Sequence, residues 1–276
     1  MKPLSGGPDA YRYLTLGAGG RVPRPFHLRW LLPHLCATSP RAWWLTWGLS
    51  WPLAAFGFVG WRVTAGDPVS VAVAGAVLLL ALPGILGPGA VIPVGVDLPA
   101  TALSLVGVWL IELGQPGQIV AGVIVISVAA MIRETSPVWA ALWVWSPVPL
   151  VAMVVVVVRA LIVKPGPDPL GARFDEIARH PVKAALDAHR GRWRDAWLMV
   201  APWGVCVVGL YGSDWRLWLV LAAAYAQLLI ATDSVRLYQH AAGPVVAVAA
   251  ASVIPVQFLP LAVVAHLVWW RTPERI

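Results

Sequence analysis

The chain contains no asparagine, only two cysteines, and few charged residues, which make up 12% of it. Without Asn there is no N-glycosylation acceptor and no Asn-Asp prenyl-diphosphate signature. Cys36 and Cys206 supply neither a disulfide framework nor a metal set, so both read as packing residues. No Walker loop, His-Glu-x-x-His or Asp-x-Asp motif occurs, and the glycines at 17, 19 and 20 lack the preceding strand that a dinucleotide site needs. No metal and no cofactor is therefore expected. The first residues also lack the pattern of a removable signal peptide, a charged run followed by a short apolar core and a small-residue cleavage site.

Apolar side chains dominate what is present. Hydrophobic residues make up 59% and the mean hydropathy is +0.75, values that suggest an all-α, polytopic membrane bundle. With a window of about twenty residues, apolar segments fall near 43–60, 69–86, 99–113, 117–132, 137–162, 197–211, 216–232 and 243–270. They imply about eight transmembrane helices, with a range of six to ten, and a multi-pass location in the plasma or inner membrane. Ser39 with Pro40, Asp97 with Pro99, and Ser136 with Pro137 read as helix starts, each a capping residue followed by a first-turn proline. Pro147, Pro149, Pro255 and Pro260 should interrupt the segments that hold them.

Four regions follow from this pattern: an N-terminal lip over 1–42, helices over 43–163, an amphipathic loop over 164–196 and helices over 197–276. In the lip, Asp9 can cap a helix from Ala10 to about Leu16, and Pro25 can open a second short helix that breaks before Pro33. Arginines alternating with Phe26, Leu28, Trp30, Leu31 and Leu32 suit a helix lying among lipid headgroups. The stretch 164–195 holds seven Lys/Arg and five Asp/Glu. The positive-inside rule puts it in the cytoplasm and the lip outside. A formal charge of +7 fits attraction to anionic membrane lipids and gives no reason to expect a nucleic-acid partner.

Ionisable groups within apolar segments are costly and therefore mark candidate sites. Asp97, Arg133, Glu134, and the trio Asp233, Arg236 and His240 stand out on this ground. The last three fall at i, i+3 and i+7, on one helix face. Glu112 reads as an interface residue and is left out of the site. Arg133 precedes a helix start whose free N–H groups favour an anion. His27 lies beside Arg29 in the lip and joins the substrate-binding candidates.

An early acidic residue followed by an aromatic run and PFHLRWLLP, together with RETSP and TDSVRLYQHAAGP further on, resembles the first-loop region and later landmarks of GT-C type membrane glycosyltransferases. The resemblance implies transfer of a sugar from a polyprenyl-phosphate donor to an acceptor hydroxyl at the outer membrane face. It makes Asp9 the catalytic base, Arg29 and Arg133 phosphate contacts, and Glu134 and Asp233 supports. A transporter or a non-catalytic membrane component are the rival readings. A transporter should gather its charges at the middle of the helices, whereas an enzyme should bring Asp9, Arg29 and Arg133 together.

Overall fold

The computed structural model describes residues 8–86, 94–167, 179–189, 200–229 and 235–269, and within them the ordered elements are all helical. Helices α1 (Pro8–Gly17), α2 (Leu31–Cys36), α3 (Pro40–Thr64), α4 (Val69–Ala81), α5 (Asp97–Glu112), α6 (Pro116–Ile132), α7 (Ser136–Val144) and α8 (Met153–Ile162) occupy the first part. Helices α9 (Pro181–His189), α10 (Trp215–Ala226), α11 (Val235–Ala251) and α12 (Leu259–Trp269) follow, with a 3-10 segment over Ala201–Leu210.

No helix among the described residues is long and apolar enough to cross a membrane. This corrects the expected bundle of about eight spans, the multi-pass plasma-membrane location and the sidedness assigned to lip and loop. The physical reason is interruption. A spanning helix needs about 20 apolar residues, but α4 stops after 13, α5 after 16 and α6 after 17. The apolar stretch 137–162 is cut where Trp145 adopts a left-handed backbone, and Pro147 and Pro149 then set a short 3-10 turn before α8. Only α3, with 25 residues, has ample length, and its Trp, Ser, Thr and Gly content dilutes its hydropathy. A high average hydropathy reports many apolar side chains, not the length of unbroken helix.

The start of α3 matches its sequence signal, since the Ser39 side chain accepts a hydrogen bond from the Ala42 N–H and Pro40 follows it. The other two starts sit one residue off. Val96 and Thr135 occupy the capping positions, and Asp97 and Ser136 lie inside the first turn. Pro33 sits within α2 rather than ending a helix ahead of it. α11 ends at Ala251, Pro255 then stands at the N-cap of a 3-10 turn over Val256–Phe258, and Pro260 lies in the first turn of α12.

Close crossings hold α3, α5 and α6 together. A Cβ placed on Gly57 would lie 2.7 Å from the Val106 backbone nitrogen, and one on Gly122 would lie 2.6 Å from the Gly107 carbonyl oxygen. Only glycine lets these backbones approach so far. The larger apolar core spans α3, α4, α5, α10 and α11, with Phe58, Leu78, Leu105, Val220 and Ala247 buried in it.

The N-terminal residues do not lie on a surface as a separate lip. Tyr13, Val22, Phe26, Leu32 and Trp43 form a second apolar cluster with Val96, Ala100 and Ile132, so this segment is folded over one end of the helices. Burial of these rings fixes the polar groups that alternate with them. Outside both clusters, α8 buries no residue, and Val154, Val157, Leu161 and Ile162 are exposed.

Candidate functional site

The helix ends capped by the N-terminal segment bring a set of arginines and carboxylates into one buried network. Asp9 lies in the first turn of α1, where the helix dipole suits a carboxylate. Its Oδ1 accepts from Arg12 Nη1 at 3.3 Å, one turn further along the same helix. Its Oδ2 accepts from Arg236 Nη2 at 2.9 Å, in the first turn of α11. Arg236 Nε lies 3.1 Å from Asp97 Oδ2 at the start of α5, and Asp97 Oδ1 also meets Arg133 Nη1. Arg133 closes α6 as its C-cap.

Glu134 and Arg29 form the second half of the network. The guanidinium donates twice to the carboxylate, Nε to Oε2 at 2.7 Å and Nη2 to Oε1 at 2.8 Å, while Nη1 donates to the Tyr13 hydroxyl at 3.0 Å. This paired fork is the geometry that makes Arg–carboxylate contacts strong and specific. Phe26 lies between two guanidiniums, Arg12 at 5.0 Å and Arg29 at 5.2 Å from its ring centre, and both gain from the ring's quadrupole.

Among the described residues, four arginines, at 12, 29, 133 and 236, meet three carboxylates, at 9, 97 and 134. Burial lowers the Arg133 pKa to about 10, and the nearby Arg29 and Arg236 push it in the same direction. Burial alone would raise the Glu134 pKa, but the charge and hydrogen bonds of Arg29, then Arg133, outweigh it and hold the carboxyl below its ordinary range. For Arg29, burial opposes the charge, yet Glu134 and Tyr13 raise its pKa well above the usual value.

His240 is one turn beyond Arg236 on α11, and its Nδ1 lies 2.8 Å from the Thr101 hydroxyl, one turn into α5. Burial, then Arg133 and Arg236, drives its pKa well below the ordinary value, so this imidazole is neutral at pH 7.

Of the residues expected at the site, Asp9, Arg29, Asp97, Arg133, Glu134 and Arg236 converge. His27 is buried beside them, but it enters through its backbone, the carbonyl accepting from Arg159 Nε and Nη2 at 3.3 Å each. Asp233 lies outside the described residues. Arg12, Tyr13 and Thr101 complete the site without having been singled out for it. The spacing of Asp9 and Arg12 at i, i+3 is a signal for the first pair, whereas nothing local marks Thr101. Arg29 also differs from its expected role, because Glu134 and Tyr13 already occupy its fork.

The outer edge of the network is the Asp9 side chain, 34% exposed against 8% for Asp97 and 14% for Glu134. A ligand from solvent would meet Asp9 and then Arg236 first, with Arg12 buried behind them. No group of three or more His, Cys, Asp or Glu among the described residues could hold a metal ion. Cys36 and Cys206 are buried and unpaired, and burial pushes the Cys206 thiol up to about 12. The chain matches no protein-family model, no curated protein and no solved structure.

Proposed function

We propose that the network binds the phosphate of a lipid-phosphate-linked sugar and that the chain transfers the glycosyl group to an acceptor hydroxyl. The observation that carries this reading is the placing of the most exposed carboxylate of the network, Asp9, between the guanidiniums of Arg12 and Arg236. Displacement at an anomeric carbon needs a base for the acceptor proton and cations for the leaving phosphate. Asp9 supplies the first role, and Arg12 and Arg236 supply the second.

Arg29 acts here as a support and not as a phosphate contact. Its bidentate pairing to Glu134 fixes the junction of α6 and α7, and through it the position of Arg133. The charges gather at helix ends rather than mid-helix, which favours the enzymatic reading over transport.

The test is sugar transfer from a radiolabelled polyprenyl-phosphate donor by the purified chain and its Asp9→Asn variant. Asn keeps the side chain's size and its value near a helix N-terminus, yet it cannot take a proton, so transfer should fall by roughly two to four orders of magnitude. Wild-type turnover that persists in a well-folded Asp9→Asn protein removes Asp9 from the chemistry. Absence of transfer by the wild type with any donor would remove the reading altogether.

A further inference from the structure

At the other end of α5, an open cleft of about 650 Å³ lies between the last turns of α3, α5, α7 and α11 and the start of α10. Its volume is in the range of sites for small organic ligands. Trp145 and Tyr211 contribute exposed aromatic surface to its walls, with the buried Trp61 and Trp143 behind them. Trp145 holds a left-handed backbone, φ 53° and ψ 39°, which bulky side chains rarely adopt and which concentrates at binding sites.

The charged groups in and beside the cleft are accounted for with one exception. Arg62 donates through Nε to Asp67 Oδ2 at 2.8 Å and lies 4.9 Å from the Trp61 ring centre. Arg216 lies 3.8 Å from Asp214 and packs 5.6 Å from the Trp145 ring centre. Glu112 is half-buried in the cleft wall and has no ion-pair or hydrogen-bond partner among the described residues. Among the described residues, Arg62 pairs with Asp67 and Arg216 with Asp214, so Glu112 is the carboxylate of the lining left without a partner.

We propose that this cleft is a binding site for a small organic cation carrying an ammonium group, with Glu112 as its counter-ion and the exposed rings of Trp145 and Tyr211 as its seat. The rings at this end already accept guanidinium cations, and a carboxylate beside aromatic faces is the recognised chemistry of ammonium binding. An anionic ligand would be repelled by Glu112.

The experiment uses the full chain, with choline and its neutral carbon isostere 3,3-dimethylbutan-1-ol as probes and tryptophan fluorescence as the readout. Choline should give a saturable change and bind about tenfold or more tighter than the isostere. Glu112→Gln should remove that preference, and Glu112→Asp should retain part of it. Equal binding of the two probes, no saturable response to choline, or an unchanged preference in a folded Glu112→Gln protein would each overturn the proposal. Because this cleft is the length of α5, about 22 Å, from Asp97, sugar transfer can fail or succeed independently of these results.

Discussion

The two ends of α5 carry similar side chains arranged in opposite ways. At the Asp97 end, the pairs join distant parts of the chain: Arg29 to Glu134 spans 105 positions, and Arg236 to Asp9 spans 227. At the Glu112 end, the pairs are local, Arg62 with Asp67 and Arg216 with Asp214. The Arg29–Glu134 pair is the most enclosed of these, Arg216–Asp214 is more than half exposed, and Arg62–Asp67 lies between them. A long-range buried pair holds a tertiary arrangement in place, so its loss should damage the fold. An exposed local pair such as Arg216–Asp214 is screened by solvent and contributes little.

The largest effect expected from this contrast is that of Glu134→Ala. Removing the carboxylate leaves the Arg29 guanidinium buried with only the Tyr13 hydroxyl, and breaking a buried pair in this way costs about 3–5 kcal/mol. Urea unfolding should show it as a large drop in midpoint. A loss below about 1 kcal/mol, the range of exposed pairs, would erase the difference between the two ends.

Acid should act on the same end in two separate steps. The folded pKa of His240 is depressed, so its contribution is present above the unfolded value of about 6.5 and lost as the pH falls below it, because the unfolded chain then binds the proton more readily. Burial moves His27 and His266 in the same direction but less far. Glu134 also has a depressed folded pKa, and its contribution is lost only below about pH 4.3. His240→Gln should flatten most of the fall in stability between about pH 6.5 and 5 while leaving the lower step in place. A wild-type slope that survives this substitution would assign the step to other groups.

Much of this arrangement was legible in the chain. Helix starts at Ser39 and Pro40 and breaks at Pro147 and Pro255 follow from local chemistry, which nearest neighbours decide. The cost of isolated charges in apolar surroundings singled out Asp97, Arg133, Glu134 and Arg236, and the structure brings these four together with Asp9 and Arg29. What misled was length: an apolar composition does not show where the left-handed Trp145 or a 3-10 turn will divide a run. Pairing was also hidden. Nothing near Arg29 in the sequence announces that Glu134 will fill its fork, and so its expected phosphate role had no visible competitor. Glu112 was passed over because its meaning depends on a cleft that only folding assembles.

The smallest expected effect lies at Asp214, where two roles of one side chain can be separated. Asp214 caps α10, its Oδ1 accepting from the Arg216 N–H at 3.3 Å. Its carboxylate also stands 3.8 Å from the Arg216 guanidinium, but both side chains are more than half exposed. Asp214→Asn keeps the cap and removes the charge, and the change in stability should be within about 0.5 kcal/mol, since exposed pairs contribute little. Asp214→Ala removes both, and the loss of the cap should cost about 1 kcal/mol. Thermal unfolding of the two variants side by side measures the gap between them. If Asn proved as damaging as Ala, the ion pair would be the stabilising contact, and charges at the cleft end would have to be read as part of the fold.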